Sequence, residues 1–250
     1  MQKGKKSEVK GLKELKGNNS GIGRTKTGVQ GFDEIIFGGI PKGNLVVLSG
    51  DPGSGKTVFC FSFLYEGAKR YNEPGVYVSL EESADDLLDN ALEFGMDFKP
   101  LIDEGKLKII TIELYDFDKL KNSIEDAVQG INAKRVVIDP GVVFRLFFEK
   151  ELDARKRILS LGKTLKHVGC TSIITNEISL DESHSLFGLE EYVADGVVLL
   201  YHTKTQNRFV RSIAVLKMRG TKVSEKLHPL QITKTGLKIL SKQELFEEVE

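Results

Sequence analysis

Cysteine is scarce in this 250-residue chain: Cys60 and Cys170 lie far apart, with no C-x-x-C pair and no histidine at ligand spacing. That excludes a disulfide framework and a sulfur-based zinc site, and it fits a reducing, cytoplasmic setting. Neither sign of charge is in excess, since 36 Lys and Arg balance 36 Asp and Glu. No global field therefore draws the protein to nucleic acid or to an anionic membrane, and any such contact has to be local. No run approaches the roughly 20 apolar residues that a membrane span needs, and the N-terminus lacks the apolar core of a signal peptide. His167, His184, His202 and His228 are scattered with no i, i+4 pair, so neither a histidine metal site nor a histidine base stands out.

What is present is the alternation of a large α/β domain. Residues 1 to 23 carry six lysines against two glutamates before breaking into glycine and asparagine, and read as a flexible basic arm, a solvated tail or a weak anion binder. From Arg24 to 241 short β-branched runs alternate with helical patterns, which predicts one domain with a mostly parallel central sheet flanked by helices. Residues 242 to 250 form an acidic tail. Strands are expected at 44–50, 75–82, 106–112, 135–139, 171–177 and 196–201. Helices are expected at 56–71, after Ser83, over 117–131 and up to Gly169. Beyond 201 the pattern changes to antiparallel strands joined by turns, including a pair around 227 to 240. The apolar run VVFRLFF (142 to 148) reads as core, with a subunit or partner contact as the alternative.

The segment GDPGSGKT (50 to 57) satisfies G-x-x-x-x-G-K-[ST] between a strand and a helix, where a phosphate loop belongs. Glycines at 50, 53 and 55 let successive N–H groups face phosphate oxygens, and the helix N-terminus adds partial positive charge. The nucleotide-binding residues are then Gly50, Asp51, Pro52, Gly53, Ser54, Gly55, Lys56, Thr57 and Val58. Lys56 would neutralise the β- and γ-phosphates and the Thr57 hydroxyl would ligate Mg²⁺.

A nucleotide-bound Mg²⁺ calls for a second carboxylate from a neighbouring strand end, and Asp139, closing RVVID, supplies one. The alternative is a turn residue before Pro140. Hydrolysis also needs a group to orient and deprotonate water, and Glu81 and Glu82 lie at the C-terminal end of a strand, where ligands gather in open α/β sheets. Strand alternation would aim one of them at the γ-phosphate, with Glu81 preferred; a solvated helix cap is the competing reading. In LKMRG (216 to 220), Lys217 and Arg219 share a face of the expected strand, with Met218 packed behind.

These blocks, with RTKTGVQGFDEIIFGGIPKGNLVVLSGDPGSGKT (24 to 57), EEYVADGVVLL (190 to 200) and VLKMRGTK (215 to 222), resemble the KaiC-like branch of the RecA superfamily. The likeness runs from about Arg24 to Leu240. It implies a RecA-like P-loop core, ATP as nucleotide, and a ring, usually a hexamer, whose active sites are shared between neighbouring subunits. By the same resemblance Glu81 and Glu82 serve catalysis, Asp139 binds the metal, and Lys217 and Arg219 reach the γ-phosphate held by the adjacent subunit. Thr175, Asn176 and Glu177 fall where the family places groups that sense the γ-phosphate. Three departures stand out: Pro140 replaces the family's serine, Lys222 and Val223 replace its Ser-His pair, and the tandem domain and phosphorylated Ser-Thr pair of the clock protein have no counterpart. A circadian autokinase is therefore not implied.

The resulting expectation is a Mg²⁺-dependent ATPase acting as a ring-shaped homo-oligomer. The alternatives are a DNA-dependent ATPase of recombinase or helicase type and a slowly hydrolysing nucleotide-gated scaffold with a protein partner. From His167 to Thr203 there is no lysine or arginine, while Asp181, Glu182, Glu190 and Glu191 are acidic, which disfavours a phosphate-lined channel. Lys204, Arg208 and Arg211 keep nucleic acid in play on another face, or belong to a solvated hairpin.

Overall fold

In the computed structural model, residues 23–112, 117–141, 151–177, 194–205, 208–243 and 245 are described. The apolar run at 142 to 148, the acidic residues at 181, 182, 190 and 191, His184, the arm up to residue 22 and most of the acidic tail lie outside them. A short ribbon, β1 (Arg24–Thr25) with β2 (Ile40–Pro41), brackets the one-turn α1 (Phe32–Ile35) and leads into β3 (Leu45–Gly50) and α2 (Lys56–Arg70). There follow β4 (Gly75–Ser79), α3 (Ala84–Glu93), α4 (Lys99–Asp103), β5 (Leu107–Thr111), α5 (Phe117–Gly130), β6 (Arg135–Asp139), α6 (Glu151–His167) and β7 (Thr171–Glu177). The chain closes with β8 (Gly196–Lys204), β9 (Phe209–Met218), β10 (His228–Thr233) and β11 (Gly236–Ile239).

Nine strands form one sheet in the order β11-β10-β9-β8-β3-β7-β6-β4-β5. From β5 to β8 all pairings are parallel, and from β8 to β11 all are antiparallel. This is the expected architecture, and the strand bounds match the sequence reading to within a residue except that β8 runs on to Lys204 and β4 stops at Ser79. Glu81 and Glu82 therefore stand in a bend beyond the strand, and strand alternation does not decide between them.

Alternation sorts the buried strands into two apolar layers. Val46 and Leu48 of β3 pack with α1 to α4, whereas Leu45 and Val47 pack with α5 and α6. On β6, Val137 faces the first layer and Val136 and Ile138 the second; Arg135 and Asp139, each two residues from Val137, thus share the α2 side.

Arg135 is fully buried, a position no periodicity would assign to arginine. Its guanidinium donates twice to the Glu73 carboxylate (2.9 and 2.6 Å), and to the carbonyls of Lys26 (2.6 Å), Phe63 (2.7 Å) and Thr27 (3.5 Å). It also lies 4.7 Å from the Phe63 ring centroid. Burial pulls its pKa down, and the Glu73 hydrogen bonds and charge oppose that. The close approach needs Gly67 on α2, because a Cβ there would sit 2.4 Å from the Arg135 Nε. Arg135→Met strands the Glu73 carboxylate and three carbonyls, and should cost about 3–5 kcal/mol in urea unfolding. Gly67→Ala should cost about 1–3 kcal/mol through overpacking, and less in the Arg135→Met background.

Candidate functional site

The strand β3 delivers the chain to Gly50, where it must turn. A Cβ at Gly50 would meet the Leu200 carbonyl at 2.5 Å, and Gly53 and Gly55 have φ of 72° and 108°, the left-handed region that favours glycine. Gly55 caps α2 without a side-chain hydrogen bond, and α2 has no acidic residue in its first turn. By contrast, Ser83 caps α3 and accepts from the Asp86 N–H at 3.2 Å. The α2 N-terminus thus keeps its amides and partial positive charge for an anion. Ser54 is fully buried in the loop, with an Oγ that meets no hydrogen-bond partner. These features fit a phosphate group.

Lys56 folds back onto its own loop, its Nζ donating to the Gly50 carbonyl (2.8 Å) and the Asp51 carbonyl (3.1 Å). Burial lowers its pKa, while the charges of Glu177, Asp139 and Asp51 raise it. Its ammonium is thus seated between two carbonyls of its own loop.

Asp139 closes β6 beside this loop, and three hydroxyls converge on it. Tyr77 donates to Oδ2 at 2.5 Å, Thr57 reaches the same oxygen at 3.4 Å, and Thr175 donates to Oδ1. Thr57 and Asp139 thus set a hydroxyl and a carboxylate oxygen side by side, the kind of oxygen donors that a hard divalent cation would take. Among the described residues no group of three or more His, Cys, Asp or Glu could hold a metal alone. A cation here would draw its other ligands from water and phosphate, as Mg²⁺ commonly does.

Glu81 and Glu82 line one cleft of about 430 Å³ with Ser79 and Thr111. They differ in electrostatics. Partial burial pushes the Glu82 carboxyl up, the charge of Asp139 adds to this, and a 3.2 Å hydrogen bond from Asn90 opposes it. The Glu82 carbonyl is itself held by Ser79 Oγ at 2.6 Å.

Thr175 and Asn176 are buried at the tip of β7, and Glu177 is exposed. Asn176 pairs in register with Ser49, and Glu177 with Gly50. The sequence-predicted group at 50–58, 81–82, 139 and 175–177 is thus brought to one end of the sheet.

Lys217 and Arg219 are not there. Lys217 pairs with Val197, and the Arg219 N–H bonds the Asp195 carbonyl at 2.8 Å. Since Asp195 in turn bonds Leu45, five residues before Gly50, Arg219 lies about 16 Å along the sheet from the loop. β9 ends at Met218, so Arg219 sits in the following turn, with its guanidinium 3.3 Å from the Asp195 carboxylate. Leu216 is an extra residue in β9, since Val198 pairs with Val215 and Val197 with Lys217. Met218 is buried while Arg219 is exposed.

Sequence reasoning missed Tyr77, Asn90 and Asp195. Tyr77 carried a signal: a tyrosine inside an apolar parallel strand has to find a partner for its hydroxyl. Burial and the neighbouring Asp139 charge raise its pKa well above the ordinary value, so it acts as a donor. Tyr77→Phe should lower stability by about 1.5–3 kcal/mol, the value of a hydrogen bond to a charged group, read as a shift in the urea midpoint.

Comparison with known proteins agrees with this geometry. Residues 25–244 match the family model described as ATPase: KaiC. A UPF0273 protein of Methanocaldococcus jannaschii is 38% identical over 231 residues, covering 86% of this chain and 95% of the relative. The circadian clock oscillator protein KaiC of Picosynechococcus is 37% identical over 88% of this chain, which spans only 45% of that protein. Among solved structures, a KaiC-like protein of Pyrococcus horikoshii OT3 superposes with a TM-score of 0.79 at 38% identity, covering 87% of this chain and 99% of the other. No helix among the described residues is long and apolar enough to cross a membrane. The chain, a RecA-type P-loop architecture, belongs to the KaiC family of ATPases.

Proposed function

We propose that this protein hydrolyses ATP with Mg²⁺, as a ring-shaped homo-oligomer whose active sites are completed by the neighbouring subunit. Residues 24–241 act as one ATPase domain between a basic arm and an acidic tail. The observation that carries the reading is the convergence of an uncapped helix N-terminus, the Lys56 ammonium, and the Thr57 and Asp139 oxygens at one end of the sheet.

Lys56 exchanges the Gly50 and Asp51 carbonyls for the terminal phosphates, and the loop amides take the remaining oxygens. Thr57 and Asp139 would hold Mg²⁺, which when bound supplies charge neutralisation between the β- and γ-phosphates. Glu82 accepts a proton from the attacking water as the new bond from its oxygen to the γ-phosphorus forms. The bond to the β,γ-bridging oxygen breaks, leaving ADP and inorganic phosphate. Glu82 is assigned this role in preference to Glu81, which sequence alone favoured, because Asn90 holds its carboxylate at 3.2 Å and Ser79 Oγ fixes its backbone carbonyl at 2.6 Å. The test is steady-state turnover with Mg²⁺ and with chelator: the wild type is active only with Mg²⁺, and Glu82→Gln loses about 100-fold or more. Equal rates in the two proteins would reject the assignment. The base form is the carboxylate, and Asn90 stabilises that form. Asn90→Ala should therefore move the acid limb of the pH–rate profile to higher pH.

The remoteness of Lys217 and Arg219 from their own loop supports a role across an interface, in the manner of an arginine finger. Lys217→Ala with Arg219→Ala should leave nucleotide binding nearly intact and cut turnover about 10³-fold or more. Mixing that variant with a Lys56→Ala variant should restore activity at the interfaces that join an intact loop to intact cations. Absence of any recovery would return the pair to a solvated edge.

A further inference from the structure

Resting on the reading that this loop binds nucleotide, we propose that Arg211 is a positioning residue of the site and that the β8–β9 pair braces the phosphate loop from outside. His202 and Arg211 are directly paired across the two strands, so their side chains leave the sheet on one face. That face meets the arch at residues 51 to 53. Arg211 Nε donates to the Gly53 carbonyl at 2.9 Å, and the His202 backbone N–H donates to the Asp51 carboxylate at 2.9 Å. The His202 Nδ1 lies 3.4 Å from the Pro52 carbonyl, and the Phe209 ring, 5.0 Å away centroid to centroid, backs the imidazole.

The grip on Gly53 has a consequence inside the loop. A trans peptide aims its C=O and the next N–H in opposite directions. With the Gly53 carbonyl turned out to Arg211, the Ser54 N–H turns in and closes on the Asp51 carbonyl at 3.1 Å. That carbonyl also receives Lys56 at 3.1 Å. Arg211 thus fixes from outside the peptide plane on which the inner turn and the resting place of Lys56 depend. A cation that sequence left as a candidate for nucleic acid is engaged with its own chain.

Arg211→Met keeps the apolar stem and removes the donor. In the nucleotide-free protein, hydrogen exchange followed by mass spectrometry on peptides covering 50–57 should speed up about tenfold, and the dissociation constant for MANT-ADP should rise about tenfold, as expected for losing one charge-assisted hydrogen bond. The global urea midpoint should stay at the wild-type value, and Arg208→Met, an equal charge change on the same hairpin, should alter neither readout. The brace is overturned if loop exchange is unchanged in Arg211→Met, if Arg208→Met reproduces the effect, or if the changes merely follow a lower global midpoint. A wild-type chain that binds no MANT-ADP would instead refute the nucleotide reading, and the exchange comparison in the free protein would still decide the brace.

Discussion

The buried Arg135 guanidinium sets the frame on which the other parts rest. Removing an arginine from water costs several kcal/mol, offset here only because Glu73 and three backbone carbonyls meet its donors. Its role is therefore positional more than a gain in net stability. The carbonyls come from the lead-in segment at 26–27 and from the middle of α2, so one side chain ties both to the first residue of β6. Four residues later the same strand, on the same face, ends at Asp139. The helix held at Phe63 and Gly67 by Arg135 begins at Lys56 and Thr57, beside that carboxylate. One strand and one helix are thus pinned at one end and meet their polar groups at the other.

The polar end is held together by the chain's own side chains. Tyr77 from β4, Thr175 from β7 and Thr57 from α2 surround Asp139, and Lys56 rests on its own loop carbonyls. The Asp139 carboxylate and the Lys56 ammonium thus each meet hydrogen-bond partners within the chain, and neither charge is left bare. Preorganisation of this sort favours binding because little ordering remains to be done.

How much of this was legible in the sequence follows from the kind of signal each part carries. The phosphate loop, Asp139 and the parallel-to-antiparallel change were readable because local pattern and local geometry coincide there: a glycine motif between strand and helix, an acid at a strand tip, apolar runs giving way to alternation. Arg135, Asn90, Asp195 and the Arg211 contact were not, since each depends on a partner 8 to 158 residues away that only the tertiary fold supplies. Strand alternation could not choose between Glu81 and Glu82 for a related reason. It assumed that β4 ran on to the glutamates, whereas the chain leaves the strand at Ser79.

The bulge at Leu216 has a consequence for the whole of β9. Ile213 and Val215 set a two-residue phase that places every odd position on the α2 side, Arg211 included. Continued without interruption, that phase would carry Lys217 into the apolar layer and turn Met218 out to water. The one supernumerary residue reverses the parity: Met218 joins Ile213 and Val215 in the core, and Lys217 emerges opposite to Arg211. A single strand can then address its own loop on one side at one end and present a cation on the other side at the far end.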